Sequence, residues 1–363
     1  LESSVNGFLP SSANSGLYVN AILLMTQLGN LGGDALLDVL TGKVNPSGKT
    51  TDTWAKNYMD YPSSAKFSHN ESVNDEMYED GIYMGYRYFD SFDVETEYCF
   101  GFGRSYTEFE LKAGEISVNG NEVQVPVEVK NVGSKYAGKE VVQVYYSAIG
   151  GEIDKPYQEL AAYKKTKLLA PGESEQLVLT YPVSQMASYS EQEAAWVLEQ
   201  GEYVIRVGNS SASTVAAGVA EVKESVKTVI AKNLFALDVE LKEIRPDAGK
   251  LAAKKQASVG ADVKRVVVDT AAIPTQTVVY QGEREEYHTD KTEKITMQDI
   301  LSGKATVEEL VAQLTVDEMA QFCVGTLRAD GGTIVGNASY TVPGAAGDTS
   351  SVCRESRGIK NMI

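Results

Sequence analysis

Glu122-Val123-Gln124-Val125-Pro126-Val127-Glu128-Val129-Lys130 places a valine at every second position. A period of two puts all four valines on one face of an extended strand, so that face is buried and the other is not. The same period recurs at Leu177, Leu179 and Tyr181, and again at Tyr203, Ile205 and Val207. Asn119-Gly120, Asn131-x-Gly133, Pro171-Gly172 and Gly201 supply turn chemistry between the runs.

Glu108–Val222 therefore reads as about seven short strands in about 115 residues, the pattern of an immunoglobulin-like or fibronectin-like β-sandwich. Trp196, within this stretch, is expected in its core.

Upstream, Tyr78–Phe109 is crowded with aromatics (Tyr83, Tyr86, Tyr88, Phe89, Phe92, Tyr98, Phe100, Phe102, Tyr106), interspersed with Gly81, Gly85, Gly101 and Gly103. Such density suits either a sugar-stacking platform or the packing of a domain seam. The acidic residues Asp90, Asp93, Glu95 and Glu97 do not follow a calcium-loop pattern and read as a solvated face. Further upstream, Val19–Met25 has strand length. It meets Gly29, Gly32 and Gly33, and then Leu31, Ala35, Leu36, Val39 and Leu40 recur at helical spacing up to Gly42. This is a strand–turn–helix unit of an α/β sheet. Its glycines fit neither G-x-G-x-x-G nor a P-loop, so close turn packing explains them.

Downstream, residues 223–305 hold short strand-like runs (Val226–Ile230, Val266–Val268, Thr277–Tyr280) among charged and alanine-rich stretches, and read as a connector lying over its neighbours. Thr306 with Glu309, and Thr315 with Glu318, are capping boxes. They predict two helices nearly end to end, the first with Val307, Leu310, Val311 and Leu314 on one face. Beyond Gly325 the chain turns rich in Gly, Ser, Thr and Ala, passes through Val342–Gly347, and closes on Met362-Ile363, which read as the opening of a strand.

The whole chain has 363 residues, 43% hydrophobic, with a formal charge of −17. That balance permits a substantial core and lacks the basic footprint a nucleic-acid partner needs. No stretch approaches the ~20 apolar residues of a membrane span, and Leu1–Gly16 has no basic leader region. Cys99, Cys323 and Cys353 form neither a CxxC nor a disulfide framework and point to a reducing, cytoplasmic setting. His69 and His288 have no partner at metal-ligand spacing, so no metal site is expected. Asn70, Asn209 and Asn337 stand in glycosylation sequons that matter only in a secreted protein.

Tyr78-Glu79-Asp80-Gly81-Ile82-Tyr83-Met84-Gly85-Tyr86-Arg87-Tyr88-Phe89, with Phe100-Gly101-Phe102-Gly103-Arg104-Ser105-Tyr106-Thr107-Glu108-Phe109, resembles the end of the second domain of family 3 glycoside hydrolases. Gly32–Lys49 resembles the segment just before it in the same family. The sandwich, through residues such as Asn131, Gly133, Glu140, Gln143, Tyr145, Lys155, Pro156, Trp196 and Tyr203, is similar to the family's fibronectin type III-like domain. Thr306–Gly325 and Val342–Ile363 look like the start of its TIM barrel, the order of a bacterial subgroup in which the barrel comes last. Leu28-Gly29-Asn30-Leu31 and Arg104 depart from the family pattern, and the resemblance begins near Asn20.

The resemblance implies a mixed fold. Residues 1–107 would be the C-terminal part of the α/β-sandwich domain, 108–222 the all-β fibronectin type III-like sandwich, 223–305 a connector, and 306–363 the helices that begin a (β/α)8 barrel. It also implies a β-glucosidase-type parent enzyme without cofactor, acting on carbohydrate with retention. Such chemistry uses two carboxylates roughly 5 Å apart. The family's acid/base lies before this stretch and its nucleophile deeper in the barrel, so no catalytic residue is expected in this chain and no substrate-binding residue is assigned. Glu79 and Glu97 are not promoted as substitutes, since each belongs to a structural motif.

Alone, the chain is expected to be inactive. A non-catalytic carbohydrate-binding or scaffolding protein, or half of a split glycosidase, is the alternative. The apolar face of the first capped helix is expected to bury against the sandwich or the seam, or against a second copy. A complementing polypeptide carrying the rest of the barrel is the other expected partner.

Overall fold

The computed structural model describes residues 22–66, 76–235, 237, 239–260, 263–280, 286–324 and 353–360. The chain divides into two compact units, one ending at Val278 and the other beginning at Val279.

In the first unit, β5 (Glu122–Asn131) is the centre of one sheet. It pairs antiparallel with β3 (Phe109–Ala113) and β4 (Ser117–Asn119) on one side and with β8 (Ser174–Pro182) on the other. Val123, Val125, Val127 and Val129 are all fully buried, and Leu177, Leu179 and Tyr181 stand beside them as cross-strand neighbours on the same core-facing side. Pro126 stands within the alternation without breaking the sheet. It falls in the gap between the β3 and β4 pairings, and its carbonyl accepts from Gly114 N.

The facing sheet runs β14 (Arg265–Val267), β12 (Val215–Val222), β11 (Gly201–Gly208), β6 (Val141–Ile149), β7 (Glu159–Lys165). A third sheet runs β15 (Gln276–Thr277), β13 (Val226–Ile230), β10 (Ala195–Leu198), β9 (Ser188–Ser190). Part of the 223–305 stretch thus enters the sheets themselves. β14 pairs parallel with β12, and β15 parallel with β13.

Trp196 corrects the reading made of it. It is 45% exposed, whereas Ala195, Val197 and Leu198 beside it are buried. Ala195 and Val197 share one face of β10, so Trp196 has the opposite parity and stands on the outer face of the third sheet.

Ahead of the sandwich, α1 (Gly32–Leu40) forms where the helical spacing predicts it and ends before Gly42, whose φ is +73°. Among the described residues Ile22–Met25 form no strand, and Val19–Ala21 lie outside the description. β1 (Trp54–Ala55) pairs with β2 (Thr96–Tyr98), with α2 (Tyr86–Phe92) between them in sequence. The aromatics of this region pack mostly on one another. Tyr83 and Phe89 are buried, and Tyr61–Phe89, Tyr83–Phe92 and Tyr86–Tyr145 meet edge to face.

In the second unit, α4 (Met297–Leu301), α5 (Val307–Ala312) and α6 (Val316–Val324) follow one another closely. The two predicted capping boxes are present, Thr306 N donating to Glu309 and Thr315 N to Glu318. Only part of the α5 face is buried within its own unit. Leu310 packs with Ile295, Ala305 and Leu314 of its own unit, while Val307 is 55% exposed. A short helix, α7 (Arg354–Arg357), adds buried Arg357, which donates to the Gln313 carbonyl. His69, Asn70, Asn337, Val342–Gly347 and Met362-Ile363 lie outside the described residues.

Candidate functional site

β6 and β11 are buried on both faces, unlike β5. Their inner face makes the sandwich core. Their outer face receives α2, the loop after β2, and α3 (Ala248–Ala257). A strand facing protein on both sides must satisfy its outward polar groups internally, and the residues on this face do so through a connected network.

Asp90, at the end of α2, is the centre of it. Gln158 Nε2 donates to Asp90 Oδ2 at 2.9 Å and also to Ser211 O at 2.7 Å. Thr214 Oγ1 donates to Gln158 Oε1 at 2.8 Å and accepts from Arg206 Nε at 3.0 Å. From α3, Lys254 Nζ reaches Asp90 O and Asp93 Oδ1, each at 2.5 Å, and lies over the Tyr157 ring. Lys255, buried, donates to Lys155 O at 3.1 Å, and Ser258 Oγ accepts from Arg206 Nη1.

Burial pushes the Asp90 carboxyl up to about 6, against the Gln158 hydrogen bond and the Lys254 and Arg206 charges. Burial and the neighbouring Lys155 charge bring Lys255 down to about 8. Asp90 thus departs from the solvated face read for it, while Asp93, Glu95 and Glu97 are exposed as expected.

The loop after β2 is fixed from the same face. Gln143 Nε2 donates to Asn209 O at 3.0 Å, and its Oε1 accepts from Tyr145 Oη. Gly101 passes so close that a Cβ there would stand 2.4 Å from Gln143 Nε2, and its φ is +79°. Both requirements select glycine. Nearby, Lys49 pairs with buried Glu140 at 2.8 Å, and Asn209 Nδ2 donates to the other Glu140 oxygen at 3.0 Å.

Each polar side chain in this network is turned to another protein atom, so the arrangement is that of a joint. It assembles no nucleophile beside a base. Glu79 is ion-paired with Lys66, and Glu97 is exposed on β2. An open depression of about 420 Å³ beside α2 is bordered by Asp52, Tyr61, Arg87 and Phe100. Among the described residues, no three His, Cys, Asp or Glu side chains gather as a metal site, and no helix is long and apolar enough to cross a membrane. Sequence reasoning missed the Asp90–Gln158–Arg206 network. Its one visible signal was an arginine inside the alternating run Tyr203–Val207.

Two family models match the chain: the glycosyl hydrolase family 3 C-terminal domain over residues 10–86, and a fibronectin type III-like domain over residues 140–211. The first starts ahead of Asn20, from which the resemblance was read. The chain thus carries the C-terminal domain of glycosyl hydrolase family 3 beside a fibronectin type III-like domain, and the proteins it is similar to include β-glucosidases.

It is 34% identical to a β-glucosidase of Ruminococcus albus over 83% of this chain and 30% of that protein. It is 40% identical to β-glucosidase A of Butyrivibrio fibrisolvens over 54% of this chain and 26% of that one. A crystal structure of a Paenibacillus barengoltzii β-glucosidase superposes with a TM-score of 0.59 at 33% identity, covering 85% of this chain and 34% of that one. The chain therefore spans under a third of the curated relatives it matches.

Proposed function

We propose that this chain is the joint-and-sandwich portion of a retaining β-glucosidase, and that it does not hydrolyse glycosides by itself. The carrying observation is the extent of the match to the Ruminococcus albus enzyme: 83% of this chain, more than residues 1–222 could supply. The likeness thus continues past the fibronectin-like domain, which supports the order in which the barrel follows it. The joint supports the same reading. It fastens the end of the α/β domain to the outer face of the fibronectin-like sheet and brings no acid/base pair of its own. On α1 and the residue before it, Leu31, Leu37 and Leu40 stay exposed, an apolar surface suited to the remainder of an α/β domain. A polypeptide carrying the acid/base and the rest of the barrel is the partner such a portion would need, and the substrate of the assembled enzyme is a β-linked glucoside.

The test is turnover of 4-nitrophenyl β-glucoside by the purified chain, by a Glu79→Gln/Glu97→Gln variant, and by the chain mixed with that complementing polypeptide. The expected result is background turnover by the chain alone and activity only in the mixture. Turnover by the chain that disappears in the variant overturns the proposal. General acid–base assistance alone is worth roughly 10²–10⁴-fold, so the two outcomes are far apart.

A further inference from the structure

Trp196 and Tyr189 stand side by side on the outer face of the third sheet. They are direct cross-strand partners, their ring centroids are 5.7 Å apart, and their planes are tilted by 59°. Trp196 is 45% exposed and Tyr189 36%. The backbone register continues the row through Val229 on β13 to Gln276 on β15. Glu193, in the β9–β10 hairpin, pairs with Lys227 of β13 at 2.6 Å and adds charged hydrogen-bonding groups near the row.

Leaving a tryptophan in water forfeits more apolar burial than any other side chain would. Here it is set beside a second exposed ring on rigid, hydrogen-bonded strands. Aromatic faces that pack against the C–H faces of a sugar ring, with donors and acceptors at the edge for its hydroxyls, are the chemistry of pyranose recognition. The rings are not coplanar, so the surface is a shallow V and suits a soluble, twisted chain better than a flat crystalline one. The chain's charge of −17 disfavours an anionic polymer or lipid surface as occupant.

We propose that the Trp196–Tyr189 pair is a carbohydrate-binding platform for soluble β-linked gluco-oligosaccharides, separate from any catalytic centre. It rests on the β-glucosidase reading for its ligand class but not on this chain having activity. The platform holds substrate chains to the fibronectin-like domain without cleaving them.

The experiment is affinity electrophoresis of the full chain in gels containing soluble mixed-linkage β-glucan, with titration of cellotetraose followed by tryptophan fluorescence. Retardation of the native chain is expected, with at least tenfold weaker binding in Trp196→Ala and several-fold weaker binding in Tyr189→Ala. Far-ultraviolet circular dichroism unchanged in both variants establishes that the fold is intact. Tyr189→Phe, which keeps the ring, retains binding. Absence of retardation, or retardation equal in native and Trp196→Ala chains, overturns the proposal. So does a concentration-dependent dimer that Trp196→Ala abolishes, because the occupant is then a second copy. Complementation activity without glucan binding removes this inference and leaves the proposed function standing.

Discussion

Gln158 Nε2 donates to Asp90 Oδ2 at 2.9 Å, tying the last turn of α2 to the residue that leads into β7. The bond sits where burial holds the carboxyl pKa up at about 6, against 3.8 for a free aspartate. A raised acid pKa means the folded state prefers the protonated form. The stability Asp90 contributes is therefore fully present below about pH 3.8 and is lost as pH rises through 6. Asp90→Asn keeps the shape and stays neutral. At pH 8 it is expected to be more stable than the native chain by ~1–3 kcal/mol, and at pH 4 to be equal to it. Urea denaturation at the two pH values measures this, and a variant less stable at pH 8 refutes it.

Asn131 is fully buried and uses its whole amide. Its Nδ2 donates to Tyr136 O and Leu169 O, both at 2.9 Å, and its Oδ1 accepts from Thr107 Oγ1 at 2.7 Å and Gly133 N at 3.1 Å. Asn131→Asp sets a carboxylate oxygen against two carbonyls. A loss of about 3 kcal/mol or more is expected, larger than for Asn131→Ala, which removes partners without adding repulsion. Thermal unfolding of the two variants gives the order, and the reverse order contradicts the account.

Lys155 and Glu199 form an ion pair of which both side chains are largely enclosed, and Glu199 also accepts from Glu152 N and Ile153 N. Glu199→Ala strands a buried ammonium and two backbone donors, so a loss of roughly 3–5 kcal/mol is expected. Lys155→Met/Glu199→Ala is expected to recover part of it, since the unpaired charge goes with the lysine. A double-mutant cycle on urea unfolding checks this. Strict additivity would show that the pair is not coupled.

The strands were legible in the sequence wherever one face alone was buried. The valines of β5 needed only the parity rule, and the structure puts all four in the core. For Trp196 the rule had nothing to work on, since Ala195-Trp196-Val197-Leu198 is apolar at every position, and size alone argued wrongly for the core. The joint was not legible, because a strand buried twice looks like any other on its inner face. Nothing local shows that Arg206 will meet Thr214 and Ser258, or that Lys254 will reach Asp90, 164 residues away. The outer burial depends on α3, whose alanine- and lysine-rich sequence carries only a weak apolar stripe. The α5 face is a different case. Its periodicity gave the helix but not the covering element, and Leu310 found a small local core.

The parallel pairings of β14 with β12 and of β15 with β13 set a schedule for synthesis. When Val222 leaves the ribosome the alternating pattern is complete, yet the strands that close two of the sheets have not been translated. Until Arg265–Val267 and Gln276–Thr277 emerge, β12 and β13 offer open backbone edges, and the Arg206 face awaits Ser258. Nascent chains of this protein thus carry a period of exposure that the finished sequence pattern conceals, and a shortened gene ending at Val222 would make that period permanent.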